Sequence, residues 1–171
     1  GTDSLLGGNQ LIAPIVAPIT VGGNAVSVIG DSHSEGATTT GGSGGGSGAG
    51  GDVSTDGTDS LLGGNQLIAP IVAPVTVGGN AVSVIGDSHS EDATTTGGSG
   101  GIIGDVTTDG TGSLLGGNQG VLPVSVPVTI GGNAFSGIGD SHSEDATTVG
   151  GSGIGIGTIS TDGGDGLLGG N

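Results

Sequence analysis

The sequence lacks several residue types, and each absence narrows the range of functions. It contains no Lys or Arg but 16 Asp and Glu, which gives a formal net charge of −16. Phosphate backbones and anionic lipid head groups are bound mainly by cationic side chains, so this composition argues against nucleic acid or a membrane surface as a partner. The chain also has no Cys. Disulfides therefore cannot stabilise it, and cysteine usage gives no information about its redox compartment.

Aromatic residues and long apolar runs are equally scarce. Phe135 is the one aromatic residue, and Trp, Tyr and Met are absent. No apolar run approaches the roughly 18 residues of a membrane-spanning helix, and no signal peptide is recognisable. Because the chain begins and ends inside a repeated pattern, we expect it to be a processed or partly observed piece of a longer array.

Glycine dominates what is present. The 171 residues include 45 Gly and 6 Pro, a composition that borders on low complexity. Glycine loses the most backbone freedom on ordering, so a chain of this kind needs unusually complete hydrogen bonding or stacking to hold one shape. Regular repetition can supply such stacking, because each unit buries one face against the next.

A marker close to GTDSLLGGNQ divides the chain into repeats. It opens at Gly1 and Gly57, returns as GTGSLLGGNQ at Gly110 and begins again at Gly163, which gives spacings of 56, 53 and 53 residues. We therefore predict repeats at 1–56, 57–109 and 110–162, with 163–171 as the start of a fourth, partial repeat. Units of this length typically obtain their stability from their neighbours.

The most ordered part of each repeat is a block rich in Val, Ile, Ala and Thr. LIAPIVAPITVGGNAVSVI spans residues 11–29, returns almost unchanged at 67–85 and drifts at 121–138. Gly-Gly-Asn inside the block favours a tight turn between two strands, which predicts a β-hairpin. Since no 3.6-residue apolar period survives, the predicted fold class is all-β, with repeated hairpin or short-strand units stacked in a β-solenoid-like or cross-β filament arrangement.

The third repeat indicates which side of the strand is buried. Its apolar residues from Val124 to Ile130 alternate with Ser125, Pro127 and Thr129. By alignment, the predicted inward face of the first repeat runs from Ile15 through Ala17 and Ile19 to Val21. We predict that the following residues form the core of an assembly: Ile15, Ile19, Val21, Val26, Val28, Ile71, Val75, Val77, Val82, Val84, Val124, Val126, Val128, Ile130 and Phe135.

Two further expectations concern packing and pairing. Val84 is predicted to lie in a dry layer and Ser88 at a solvated rim. Pro14 and Pro18 are four residues apart, as are their counterparts in the other repeats, so each pair removes two N–H donors from one edge of the strand. We therefore expect this strand to pair fully on one side only. The alternative is a polyproline-like segment without a ladder.

Acidic residues alternate with His after the predicted hairpin. In an extended segment, the Asp, His and Glu side chains of one repeat leave the same face and could converge on Zn²⁺ or Ca²⁺. A solvated charged rim that limits sideways aggregation is the favoured interpretation, because it requires only exposure. The candidate ligands are Asp31, His33, Glu35, Asp87, His89, Glu91, Asp140, His142 and Glu144. Gly30-Asp31-Ser32 is similar to the segment that carries the nucleophilic serine in one class of ester hydrolases. However, neighbours in a strand point to opposite faces, so His33 cannot act as base for Ser32, and we predict no enzyme activity and no obligatory cofactor.

The apolar block resembles the chaplin domain of actinobacteria. The resemblance rests on GNQLIAPIVAPVTVGGNAVSVIGDS and on the paired prolines of LPVSVPVTIGGN at 122–133, and it covers about 25 residues of each repeat. Chaplins are secreted, surface-active proteins that form amyloid-like fibrils, and longer members can be attached to the cell wall. Gly22, Gly78 and Gly131 stand where the chaplin pattern has Cys. The resemblance therefore does not extend to disulfide-controlled assembly.

These observations together predict a secreted or cell-surface structural protein that assembles with itself into a filament or coat. Its expected partner is a second copy of the chain, with cell-wall material or surface glycans as further candidates. Neither nucleic acid nor a membrane span is expected. The alternative is an acidic β-repeat stalk or adhesin that binds Ca²⁺.

Overall fold

The structure is a computed structural model that describes residues 5–43 and 52–162. All regular elements in this part of the chain are β-strands. Over the same residues, no helix has the length and apolar character needed to cross a membrane. The partial repeat predicted at 163–171 lies outside the described residues.

The strands form eight narrow parallel sheets, and each repeat contributes one strand to almost every sheet. Sheet 1 consists of Gln10–Ile12, Gln66–Ile68 and Gln119–Val121; sheet 2 of Ile15–Val16, Ile71–Val72 and Val124–Ser125; sheet 3 of Ile19–Gly22, Val75–Gly78 and Val128–Gly131; and sheet 4 of Ala25–Ile29, Ala81–Ile85 and Ala134–Ile138. Sheet 5 consists of Ser32–Glu35, Ser88–Glu91 and Ser141–Glu144; sheet 6 of Thr38–Thr40, Thr94–Thr96 and Thr147–Val149; sheet 7 of Ile102–Ile103 and Gly155–Ile156; and sheet 8 of Val53–Asp56, Val106–Asp109 and Ile159–Asp162.

Equivalent residues of successive repeats pair with each other. Gln66 pairs with Gln10 on one side and with Gln119 on the other, and the remaining sheets keep the same register. The chain is thus a β-solenoid in which each repeat forms one coil. We name residues 5–43 and 52–56 coil 1, residues 57–109 coil 2 and residues 110–162 coil 3. The predicted all-β, solenoid-like arrangement is confirmed, with coil 2 between the other two.

The predicted hairpin, by contrast, is wrong. Ile19–Gly22 and Ala25–Ile29 belong to different sheets and pair only with their equivalents in coil 2. Gly23, with a φ of 62°, turns the chain at a corner between the two sheets. Turn residues that allow a hairpin also allow such a corner. Here the corner prevails because stacking places identical side chains on each other in every sheet at once.

The predicted inward face is also wrong, because the opposite set of alternating residues fills the solenoid. Val72 and Thr76 are 1% and 0% exposed, and Pro70 and Pro74 are fully buried. Ile19, in contrast, is 71% exposed. The remaining residues of the predicted inward face in coil 1, Ile15, Ala17 and Val21, are exposed as well.

The reason is the close approach of the wall opposite this strand, which consists of the threonine strands of sheet 6 and the glycines that follow them. A Cβ on Gly97, which follows sheet 6, would lie 2.3 Å from Thr129 Oγ1 in sheet 3. A Cβ on Gly78, which belongs to sheet 3, would lie 2.3 Å from Thr39 Oγ1 in sheet 6. The two walls are therefore so close that small residues predominate between them, with an occasional Val or Ile and with Gln66 and Asn80 as larger polar residues. Most branched aliphatic side chains are left on the outside.

The prolines do not close one edge of the strand as predicted. Ile71–Val72 pairs with both Ile15–Val16 and Val124–Ser125. Although proline lacks an N–H group, its carbonyl still accepts: Ile71 N donates to Pro14 O at 2.8 Å, and Val124 N donates to Pro70 O at 2.8 Å. The missing donors instead divide the segment into the short strands of sheets 1, 2 and 3.

Candidate functional site

The outer surface of sheets 1 to 4 carries an apolar face, which we define as the outward aliphatic side chains of residues 11–29 and their equivalents in coils 2 and 3. All fifteen residues predicted as an assembly core lie on this face. Most of them are exposed, and Val75, Val77 and Val82 are half-buried. They do not form the interior of the chain, so any assembly through them must involve contacts outside the coil.

In-register stacking arranges these side chains in columns. Ile19, Val75 and Val128 form one column, and Val21, Val77 and Ile130 form the next. Neighbouring strands in a sheet lie about 4.8 Å apart, so each column is a continuous apolar ridge along the solenoid axis. The face is therefore regular both along and across the axis.

The Gly-Gly-Asn corner between sheets 3 and 4 makes this face concave. The column of Val21, Val77 and Ile130 forms one wall of a groove of about 640 Å³, and the column that contains Phe135 forms the other. The substitution of Val82 by Phe135 in coil 3 therefore enlarges a groove wall; it does not belong to a buried layer. A second groove, of about 740 Å³, follows the other Gly-Gly-Asn corner, where Leu6 and Leu62 face Leu11 and Leu67.

Asparagine ladders support both corners. Asn80 Nδ2 donates to Asn24 Oδ1 at 2.7 Å, and Asn133 Nδ2 donates to Asn80 Oδ1 at 2.8 Å. The backbone N–H of each upper asparagine reaches the same oxygen, at 3.1 and 3.2 Å. Asn9 and Asn65 are joined in the same way at the other corner. Sequence analysis missed this role, although the fixed position of Asn after Gly-Gly in every repeat was the available signal.

Serine and threonine hydroxyls satisfy the polar interior. Ser34 Oγ donates to Gly23 O at 2.6 Å, and Thr39 Oγ1 donates to Gly22 O at 3.0 Å. The equivalents in coil 2 repeat both bonds. Such bonds offset the cost of burying a hydroxyl, whereas the buried hydroxyls of Thr76, Ser125 and Thr129 have no hydrogen-bond partner among the described residues. The corner glycines are therefore fixed by hydroxyl side chains from sheets 5 and 6.

The predicted metal ligands form a ladder of their own on the outward face of sheet 5. His33 and His89 stack with ring centroids 4.8 Å apart, and His89 and His142 stack at 5.1 Å. Each imidazole Nε2 lies near the carboxylate two residues later in its own coil, at 3.2 Å for Glu35 and 3.0 Å for Glu91. The coil 3 pair, His142 and Glu144, has the same geometry at 3.1 Å.

The aspartates of the predicted metal sites have a different partner. Asp31 Oδ1 accepts the backbone N–H of Asp87 at 3.0 Å, and Asp87 Oδ1 accepts that of Asp140 at 2.9 Å. Over residues 5–43 and 52–162, no group of three His, Asp or Glu side chains has the geometry to hold a metal ion. The structure thus brings His and Glu together and uses Asp to join one coil to the next.

One acidic turn shows a resolved electrostatic effect. The backbone N–H and hydroxyl of Thr58 donate to Asp56 Oδ1 at 2.9 and 2.8 Å. These bonds favour the charged form and lower the pKa of Asp56 below its ordinary value of 3.8. The carboxylate of Asp56 therefore stabilises its own turn.

The stacked coils, the polar interior and the apolar exterior place the chain in the class of parallel β-solenoid repeat proteins. The chain is similar to Chaplin-B of Streptomyces coelicolor, with 33% identity over 117 residues that cover 54% of this chain and 49% of that protein. It therefore spans about half the length of the curated relative it matches. No family model matches the chain, and no solved structure matches it.

Proposed function

We propose that this chain is an extracellular structural protein that assembles with copies of itself into a filament or surface coat, and that the apolar face forms the lateral contact between copies. The observation that carries the proposal is the inverted distribution of side chains. Val84 is 53% exposed, whereas Ser88 in the same coil is 2% exposed. In a soluble monomer, valine is ordinarily buried and serine is ordinarily exposed.

The extent of the apolar face also supports assembly. Monomeric proteins rarely expose contiguous apolar patches larger than a few hundred Å², and larger patches usually mark interaction surfaces. Burial of one exposed Val or Ile side chain contributes about 1.5 to 3 kcal/mol, and association costs about 4 to 15 kcal/mol. Two adjacent columns, in which Val75 and Val77 are already half-buried, therefore supply an attraction of the same order as this cost, and covering the further columns of the apolar face adds to it.

The similarity to Chaplin-B supports placing the chain outside the cell, as a secreted or surface protein. An acidic surface without Lys or Arg suits an extracellular coat, because its charge limits uncontrolled aggregation while the apolar columns supply attraction. Cell-wall material and surface glycans are further candidate partners. Because Gly22, Gly78 and Gly131 replace the chaplin cysteines, this proposed assembly is independent of disulfides.

The solenoid is poorly suited to the alternative role of a stalk. Adjacent strands are about 4.8 Å apart, so a whole repeat of some 53 residues advances the axis by only that distance. A spacer of useful length would need very many repeats. A wide, short unit with an apolar flank is better suited to lateral packing.

The test replaces the two columns Ile19, Val75, Val128 and Val21, Val77, Ile130 by Thr. Threonine has nearly the shape of valine and favours strands, so the fold should persist while the lateral contact weakens. The measurement is sedimentation velocity together with electron microscopy, with circular dichroism as the check on folding. The matched control replaces only Ile19 and Ile130 by Val and should assemble normally. A folded threonine variant that assembles as well as the parent would refute this role of the face.

A further inference from the structure

The contact between coils occurs twice in the chain and is the same contact each time. Coil 2 stacks on coil 1 and coil 3 stacks on coil 2 with equivalent residues in register through sheets 1 to 6 and sheet 8. Such a contact is related by translation alone, so it contains nothing that limits the stack to three coils.

The backbone hydrogen bonds give this contact a direction. In sheets 1 to 3, Ala69 N donates to Ile12 O and Ala73 N donates to Val16 O, at 2.8 and 2.9 Å. Coil 3 repeats both bonds toward coil 2, through Leu122 N and Val126 N. Because alternate residues of a parallel strand face alternate edges, Ala13 and Ala17 direct the equivalent N–H groups to the outer edge of coil 1.

The side-chain ladders have the same direction. Asn80 donates to Asn24 and Asn133 donates to Asn80, so each upper coil supplies the donors and each lower coil supplies the acceptor. The backbone N–H of Asp140 donates down to Asp87 Oδ1 in the same sense. The acceptor oxygens of Asn133 and Asp140 are then the groups presented at the outer end of coil 3.

We infer that a second copy of the chain stacks head to tail on this end, with residues 10–43 and 52–56 of the second copy on residues 119–162 of the first. This inference rests on the proposed self-assembly and gives it an axial interface and a polarity. In the stack, Asn24 of the second copy donates to Asn133 Oδ1 of the first copy, and Ala13 N donates to Val121 O, as their equivalents do within one chain. The contact continues an interface that the chain already makes twice.

Face-to-face stacking of two equal ends does not satisfy the same groups. Two coil 3 ends would bring Asn133 Oδ1 against Asn133 Oδ1 and the Asp140 carboxylate against its own copy. Pro123 and Pro127 also lack donors at this edge. In addition, a two-fold axis in the plane of the contact reverses the order of the sheets around the coil, so equivalent sheets of the two copies cannot all meet.

The test uses the absence of cysteine from the natural sequence. Thr38 and Thr147 are both exposed on sheet 6 and both pair with Thr94. In a head-to-tail stack, Thr147 of one copy lies directly beside Thr38 of the next, about 4.8 Å away. Single variants Thr38→Cys and Thr147→Cys are assembled alone and as a mixture, and each sample is treated with a short bismaleimide.

We expect covalent dimers almost entirely in the mixed sample. Dimers of Thr38→Cys with itself, or of Thr147→Cys with itself, as the main products would show face-to-face contacts and overturn the inference. Assemblies of normal appearance without any covalent dimer would also overturn it, while leaving lateral assembly intact. If the parent chain forms no assembly at all, the proposed function itself fails, so the two failures are distinguishable.

An edge variant gives an independent measurement. Ala13→Pro together with Ala17→Pro removes two outer N–H donors and places ring atoms where the neighbouring copy would lie, yet it leaves the apolar columns unchanged. When both proline substitutions are added to the Thr38→Cys chain, the yield of covalent dimer with the Thr147→Cys chain should fall about tenfold or more. The control, Ala69→Pro with Ala73→Pro, removes donors used inside the chain and should lower the melting temperature instead. An unchanged dimer yield with the outer prolines would contradict the head-to-tail geometry.

Discussion

Gly98 lies so close to Pro74 that a Cβ on Gly98 would be 2.8 Å from the proline Cβ. Coil 3 repeats this relationship between Gly151 and Pro127 at 2.9 Å. The proline pairs and the glycine tracts, which are far apart in sequence, are therefore the two facing walls of one thin interior. This contact explains why the aliphatic side chains are on the outside.

Two glycines at the same repeat position test the thinness of the interior. A Cβ on Gly97 would lie 2.3 Å from both Gly151 N and Thr129 Oγ1, whereas a Cβ on Gly150 would have no atom within 4 Å. We expect Gly97→Ala to destabilise the fold by about 1 to 3 kcal/mol because backbone atoms must move. Gly150→Ala should be nearly neutral in the unassembled chain, because no described coil lies beyond coil 3. Urea unfolding of unassembled protein followed by circular dichroism measures both, and equal losses would contradict the close approach around Gly97.

Val84 and Ser88 exchange the roles that the sequence predicted for them. Ser88 Oγ donates to Phe135 O at 2.6 Å and lies 3.3 Å from Ser32 Oγ, in the buried interior. Ser88→Lys would bury a charge without a partner and should cost several kcal/mol, enough to unfold coil 2. Val84→Lys places its charge on the exposed face, so the melting temperature should change little while lateral assembly weakens.

Thermal unfolding and sedimentation separate these two outcomes. Ser88→Thr is the control, because it keeps the hydroxyl and adds one methyl group. A Ser88→Lys variant that melts like the parent would mean that the interior of sheet 5 is solvated, as the sequence alone had indicated.

The sequence predicts the overall architecture of the stack but not which face of each strand is buried. Repeat spacing and β-rich composition predict an all-β stack, because both follow from local patterns. The facing of the strand does not follow in the same way: alternation at Val124 to Ile130 identifies two faces but not which of them meets the opposite wall. That choice depends on the opposite side of the coil, some 25 residues away.

The hairpin was wrong because the partners of its two strands lie in other repeats, and contacts between repeats also engage one of the predicted metal ligands. Gly-Gly-Asn satisfies the local requirements of a hairpin, yet the partner of Ile19–Gly22 is 56 residues away. Asp31, His33 and Glu35 do alternate as the sequence indicates, but Asp31 is used by the backbone of Asp87. Both contacts join one repeat to the next, and a pattern within one repeat contains no information about them.

The asparagine ladder gives a prediction about polarity inside one chain. Asn80 is buried and acts as donor to Asn24 and as acceptor from Asn133. Asn80→Asp replaces the donating Nδ2 by an oxygen that faces Asn24 Oδ1 at close range. We expect a loss of about 2 to 4 kcal/mol, since an acceptor and a charge are left unpaired.

The matched control for this change is Asn9→Asp. Asn9 is exposed, and its Oδ1 accepts from both the backbone N–H and the Nδ2 of Asn65, so a carboxylate can keep both bonds. This variant should lose less than about 1 kcal/mol, the contribution of its own bond to Leu6 O. Chemical denaturation measures the difference, and two equal losses would show that the direction of the ladder does not matter.

Divalent cations should promote assembly as general counterions, without a dedicated site. The 16 carboxylates have no Lys or Arg to balance them, so they repel one another across any contact between copies, and this repulsion is screened by salt. Because Asp31 binds the next coil and each histidine already faces its own glutamate, we expect Mg²⁺, Ca²⁺ and Zn²⁺ at equal ionic strength to shorten the lag of assembly to a similar extent. Light scattering measures the lag, and His89→Gln provides the control. A strong effect of Zn²⁺ that Mg²⁺ does not reproduce, and that disappears in His89→Gln, would instead assign the histidine column a metal-binding role.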